Sequence, residues 1–403
     1  MIERDNTIRA IAWKEIFPWI SILRVFRIAI AARVLALAAV GVLLMAIGWA
    51  IVGMTFGTES PATRWLGAYT SCPWKAVTTH VPNELSVCGD GKKGSYPPIE
   101  YEWDYRGPIV GTWAQLSEPA IEGFTKVPTS RWRDGLALLF SGVWSVAVWA
   151  FFGGAICRIA SVQMAAEEQV GFAAAIRFAI KKWPAYFAAP LFPVAGALAA
   201  AVPVAILGFL MQANLGVLLG GLLWPLALLA ALIMAILLFG VLFGWPLMWA
   251  TISTEGTDSF DALSRSYAYA FQRPLHYLFY AFIAACLGAL GWLFVRNFAA
   301  GIIWLAHWSM AWGGKLPELN GLGNAGVALV HFWDGCVNLV AVGFLFSYFW
   351  ASSSAIYLLL RRDVDATETD EVYLDADASE PAFDLPKVTT DPAGAPVVEE
   401  SAE

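Results

Sequence analysis

Between Gly216 and Ala250 the chain runs for 35 residues without a charged, amide or hydroxyl side chain. A helix of that length is about 53 Å long, whereas the hydrocarbon core of a bilayer is about 30 Å thick. A helix that is apolar on every side is either deeply buried or surrounded by lipid. Five further runs are predominantly apolar and free of Asp, Glu, Lys and Arg: Val34–Phe56, Gly135–Cys157, Pro184–Met211, Pro274–Val295 and Val337–Leu360. Only 14% of the 403 residues are charged and 59% are hydrophobic, against about 25% charged in soluble domains. These numbers exclude a soluble enzyme core and a wholly disordered chain. The expected fold is an all-α integral membrane protein with six transmembrane helices. The 35-residue run is too long for one upright span and should tilt, kink or run past the surface. Some 33 residues precede the first run and no small-residue cleavage site follows it, so it reads as a span rather than a cleaved signal.

Lysine and arginine set the expected orientation, because cytoplasmic segments are enriched in them. Six lie in residues 1–33, four in 158–182, two in 251–273, and Arg361 and Arg362 follow the last run. The short opposing connections carry none in 212–215 and two, Arg296 and Lys315, in 296–327. Loop 57–134 has eight, but it is long and mixes them with nine acids. Both termini are therefore expected in the cytoplasm. The domains follow: an interfacial N-terminus (1–33), the first span (34–56), an extracytoplasmic loop subdomain (57–134), a five-span body (135–360) and a tail (361–403).

Net charge is −7, yet residues 363–403 hold thirteen acids against Lys387 alone. The body is thus basic and the acidity belongs to the tail. Four prolines and no apolar periodicity mark the tail as disordered. It is either a docking segment for a cytoplasmic protein partner, around Tyr373 or Phe383, or a solubilising appendage. In the outer loop, Cys72 and Cys88 are placed for a disulfide in an oxidising compartment, the alternatives being free thiols or a metal site. Short pieces such as Ile99–Trp103 and Ile109–Trp113, between turn residues, read as strands. Cys157, Cys286 and Cys336 read as apolar thiols in or beside spans.

A repeat organises the body. Glu167, Phe172, Ala174 and Arg177 correspond to Glu255, Phe260, Ala262 and Arg265. In each copy an amphipathic elbow, near 168–183 and 258–272, precedes a proline that should open the next span. Phe172, Ile176, Ile180 and Trp183 form one apolar face, and Phe260, Leu263, Tyr267 and Phe271 the other. Asp258 is placed as an N-cap, and Asp261 with Arg265 as a helical pair. Both copies run in the same sense, so a parallel repeat is expected, with the elbows lying in the inner interface or acting as structural joints. A third interfacial element precedes the first span, with Ile16, Phe17, Ile20, Leu23 and Phe26 apolar.

The segments SFDALSRSYAYAFQRPLHYLFY (259–280), IAWKEIFPWI (11–20) and AIYLLLRRDVDATETDEVY (355–373) resemble an uncharacterised bacterial multi-span membrane protein family. The F-x-A-[IL] elbow more loosely resembles the six-span membrane domains associated with glycerophosphodiester phosphodiesterases. The first resemblance covers most of the membrane body and the second only the elbows. Neither implies a catalytic or binding residue, and the chain contains no phosphodiesterase domain.

Motifs for chemistry are sparse. The Gly321–Gly326 segment fits a dinucleotide pattern but follows no strand. The histidines are scattered at 80, 276, 307 and 331, and no Walker, HExxH or GxSxG pattern occurs. No cofactor, metal or nucleic acid is implied. Arg296, His307, His331 and Asp334 form a polar cluster expected at the outer interface. It is either an Arg296–Asp334 ion pair or a ligand site for a lipid head group or metal. Trp304, Trp308 and Trp312 read as a helix lying in the outer interface or, alternatively, a re-entrant hairpin. The expected function is a non-enzymatic membrane scaffold or accessory subunit, touching lipid and a cytoplasmic partner; the alternative is a permease-like protein for a lipid or small apolar solute. Reporter fusions at residue 100 and at the C-terminus should report opposite sides of the membrane; the same side for both would overturn the six-span topology.

Overall fold

The computed structural model describes residues 17–71, 107–126, 131–166, 171–313, 322–368, 370–373, 388–390 and 396–398. A 3-10 turn, Pro18–Ile22, leads into α1 (Leu23–Ala29) and α2 (Ala32–Phe56). After α3 (Gly67–Ser71) come a π-helical turn, Gly107–Gly111, and α4 (Thr112–Lys126). The rest of the body is α5 (Trp132–Ala165), α6 (Phe172–Leu210), α7 (Asn214–Glu255), α8 (Ser259–Gln272), α9 (Pro274–Ala311) and α10 (Leu322–Asp365). In the tail, β1 (Val388–Thr390) and β2 (Pro396–Val398) pair antiparallel. Among the described residues six helices, α2, α5, α6, α7, α9 and α10, are long and apolar enough to cross a membrane. The chain is an all-α multi-pass membrane protein.

Several helices outrun the apolar runs that announced them. α6 passes through Pro184, Pro190, Pro193 and Pro203, so the first elbow continues into its span without the break expected at Pro184. A proline removes one hydrogen bond, and neighbouring helices can compensate for that loss in a membrane protein. The second elbow is separate: Arg273 adopts φ −130° and ψ 54° before Pro274, as steric exclusion from the α region before proline requires. α9 continues through Arg296 and Asn297 to Ala311, the Asn297 amide donating to the Leu293 carbonyl at 2.6 Å. Trp304, Trp308 and Trp312 therefore end a long helix, neither lying separately in the interface nor forming a hairpin. A charge ends an apolar run without ending a helix, because it removes no backbone donor.

The N-terminal segment also differs from expectation. Its buried residues are Ile22, Val25, Ile28 and Ala29, while Phe17 and Leu23 are exposed; Ile16 lies outside the described residues. Phe26 meets Phe294 and Phe344 edge-on at 6.5 and 5.8 Å, and the Ser347 hydroxyl donates to the Ala29 carbonyl at 3.0 Å. The segment is thus built into the bundle against α9 and α10. In the outer loop, Ile109–Trp113 is helical where a strand was expected. The π-turn wedges into the bundle, with Gly107 against Ala289 and Pro108 against Gly288. The Trp113 indole donates to the Leu242 carbonyl at 2.9 Å. Ile99–Trp103 lies outside the described residues, as do Cys72 and Cys88; no disulfide occurs among the described residues, where Cys157, Cys286 and Cys336 are free thiols.

The core is aromatic and is keyed by glycine. Trp249 stacks on Trp350 at 4.4 Å and 14°, and Trp149 on Phe346 at 4.7 Å and 3°. The Trp249 indole donates to the Tyr186 carbonyl at 2.8 Å, and the Trp49 indole to the Ser141 carbonyl at 3.1 Å. A Cβ on Gly153 would stand 2.8 Å from Trp350, and one on Gly154 2.7 Å from Tyr186. These contacts join α2, α5, α6, α7 and α10. Replacing Gly154 by Leu should destabilise the protein by about 1–3 kcal/mol through overpacking, seen as a lowered melting temperature in detergent; wild-type melting would refute the close packing.

Candidate functional site

The greatest concentration of charge among the described residues lies where α7 ends. Glu255 closes that helix, where the helix dipole disfavours a carboxylate. Its position therefore demands cations, and distant elements supply them. Arg265 of α8 reaches it at 2.6 Å and Arg361 of α10 at 3.7 Å. The Tyr357 hydroxyl donates to the same carboxylate. Glu255 and Arg361 have side chains only 13% and 5% exposed, so water screens this pair little. Arg265 also binds Asp261 at 3.2 Å, the helical pair read from sequence. Burial lowers the Arg265 pKa, but Glu255 and Asp261 outweigh it and hold the guanidinium charged.

The carbonyls at the end of α7 are capped by other elements. An α-helix leaves its last four carbonyls without internal partners, and lipid offers none. The Gly256 N–H satisfies Ile252, closing the helix with Gly256 in the left-handed region at φ +65°. Arg158 of α5 donates to the Ser253 carbonyl at 2.8 Å, its guanidinium 4.2 Å above the Phe178 ring. The Tyr373 N–H donates to the Thr254 carbonyl at 2.9 Å. Lys182 of α6 donates to the carbonyl of Gly256. Two cations at this helix C-terminus also suit its dipole.

α8 starts beside this cluster. The Asp258 carboxylate accepts the Asp261 N–H at 2.8 Å, making the expected N-cap. Ala262, Ser266 and Tyr269 form the buried face of α8, and Tyr269 donates to Asp365. Burial pushes the Tyr267 hydroxyl up to about 12; it donates to the Leu237 carbonyl at 2.6 Å. Of the apolar face read from sequence, Phe260 is 72% exposed and Phe271 is also exposed, while Leu263 and Tyr267 are half-buried. The first elbow divides in the same way: Phe172 and Ile180 are exposed, Ile176 and Trp183 half-buried, and Ala175, Phe178 and Ala179 buried. Glu167, the counterpart of Glu255, lies outside the described residues.

The tail is ordered at its root. α10 continues to Asp365, and Asp363 accepts the Tyr280 hydroxyl at 2.7 Å. Arg361 donates to the carbonyls of Glu368 and Glu371 at 2.9 and 2.5 Å. Ala366 takes a positive φ of 54° where the chain leaves the helix.

The outer polar cluster is divided between α9, with Arg296 and His307, and α10, with His331 and Asp334. His307 Nε2 stands 2.8 Å from the Asp334 carboxylate, a pairing the sequence did not single out. His331 is exposed. Among the described residues no group of three or more potential metal ligands forms.

Sequence reasoning did not identify the Glu255–Arg361 contact or the capping by Arg158 and Tyr373. The available signal was Glu255 itself, an acid at the end of a long apolar helix. Comparison with known protein families, with curated proteins and with solved structures found no match. Replacing Glu255 by Ala leaves buried Arg361 without its carboxylate and should cost about 3–5 kcal/mol. Asp261→Ala, at the exposed edge, should cost about 1 kcal/mol or less. Thermal unfolding of the two variants in detergent checks the order; equal losses would sink it.

Proposed function

We propose that the protein is a non-enzymatic scaffold or accessory subunit of the bacterial cytoplasmic membrane, with both termini cytoplasmic. In this reading α8 and the start of α6 are two copies of a parallel repeat, set in the inner leaflet by exposed side chains such as Phe260, Phe271 and Ile180. The acidic tail is offered to a cytoplasmic protein from a defined point beside them. One observation carries this reading: Arg361 grips the carbonyls of Glu368 and Glu371, rooting the tail on the charged end of the bundle. A rooted acidic segment presents its charge at a fixed place near the membrane, and electrostatic complementarity would favour a partner with a basic surface. The cations and carboxylates around Glu255 serve one another and the ends of helices, which suits a structural hub.

A second reading, a permease-like protein for a lipid or small apolar solute, has its own support. The α6–α7 and α9–α10 hairpins meet near Trp249 and Trp350, and α7 and α9 are bridged by the Tyr277 hydroxyl, which donates to the Phe243 carbonyl at 2.7 Å. The π-turn packs Pro108 against Gly288 of α9, and Trp113 of α4 donates to the Leu242 carbonyl of α7. A solute path there would have to pass the Trp249–Trp350 stack. The scaffold reading requires no such opening and is preferred.

The test is purification of the full chain and of a variant ending at Tyr373, both in mild detergent. The scaffold reading predicts a cytoplasmic protein that accompanies the full chain and is lost with residues 374–403, while the shortened protein keeps its melting temperature. A partner retained by the shortened protein, or none with either, would count against it.

A further inference from the structure

The segment from Ala366 to Tyr373, described except for Thr369, turns back from the end of α10 onto the hinge between α7 and α8. We propose that it is a strap that locks this hinge, and that engagement of the acidic tail beyond Tyr373 by a basic partner lifts it. The release step rests on the reading of the tail as a partner-binding segment; the lock does not.

Three contacts converge on the hinge. The Tyr373 N–H supplies the partner of the Thr254 carbonyl, one of the last four of α7. Thr254 is fully buried, so loss of the strap would leave that carbonyl without a protein donor and away from water. The Tyr373 ring sits on Gly256, where a Cβ would come within 2.6 Å of Cδ1. Gly256 has a positive φ of 65°, so the residue that makes the turn into α8 is also the seat of the ring. Arg361 joins the strap to the ion network: the guanidinium that holds the Glu368 and Glu371 carbonyls also faces Glu255. Glu255 in turn holds Arg265 of α8.

Consequently the strap, the end of α7 and the start of α8 cannot move independently. α8 carries exposed Phe260 and Phe271, so its freedom governs how that apolar face meets the bilayer. Tyr373 is itself partly exposed, as a contact meant to be undone requires. The residues that follow it carry most of the tail's acids, so a basic surface binding there would pull directly on the ring and on the Thr254 bond.

Hydrogen exchange of the full chain in lipid nanodiscs tests the lock. Tyr373→Ala removes the ring and leaves the hinge glycine intact; it should speed exchange across residues 254–272 by about tenfold or more, with α2 and α5 unchanged. Gly256→Ala, which pushes the ring away, should do the same. Ending the chain at Tyr373 should leave the exchange of 254–272 as it is in the full protein. Unchanged exchange in Tyr373→Ala would overturn the lock, whatever becomes of the scaffold reading. An oligolysine peptide, as a basic probe, should speed exchange of 254–272 in the full chain and not in the protein ending at Tyr373. Binding of that peptide without any change in 254–272, or no binding at all, would overturn release by a basic partner.

Discussion

The stacked indoles of Trp249 and Trp350, set against Gly153, hold together a bundle that hydrophobic exclusion alone could not. Within lipid, burying an apolar side chain against another helix gains little over leaving it in hydrocarbon, so association depends on close packing and on hydrogen bonds. The aromatic layer provides both. Glycines of α5 let rings from α6, α7 and α10 approach its backbone, and the indoles of Trp49, Trp183 and Trp249 donate to carbonyls of neighbouring helices. The remaining elements are arranged about this layer. The π-turn packs on α9, Trp113 of α4 reaches α7, and the charged hub gathers where α7 ends.

At the hub the governing constraint is backbone saturation. α7 ends in a buried place where its last carbonyls and the Glu255 carboxylate need donors, and other parts of the chain, Arg265 of α8 among them, supply them. Arg158, Lys182, Arg361 and the Tyr373 backbone come from α5, α6, α10 and the tail. The hub thus ties the tail to the membrane body through interactions that the helix end requires in any case. An unmet donor or acceptor there costs more than a neutral hydrogen bond gains. This asymmetry lets a short peptide segment influence a large bundle.

Much of the local structure was legible. Val34–Phe56 marked α2 to within two residues at its start, Asp258 was placed as the cap of α8, and Asp261 with Arg265 as its pair. Each of these depends on residues within a few positions of one another. The errors share a cause as well. Pro184 and Arg296 looked like boundaries because they interrupt composition, yet helices pass through both. Ile109–Trp113 looked like a strand by residue type, but it is helical where it meets α7 and α9. For the tail, composition suggested disorder from residue 363 and could not reveal that Arg361 would hold the segment that follows.

By itself the sequence determined that this chain would be six apolar helices with a basic edge and an acidic end. Apolar length and the need to satisfy every backbone group inside the helix are local properties, readable one run at a time. Only the tertiary structure decided which ends meet, that Glu255 is neutralised by Arg265 and Arg361, that His307 faces Asp334, and that Tyr373 returns to cap α7. Those pairings join residues far apart in the chain. Close packing selects them, because it lets only certain helix faces approach.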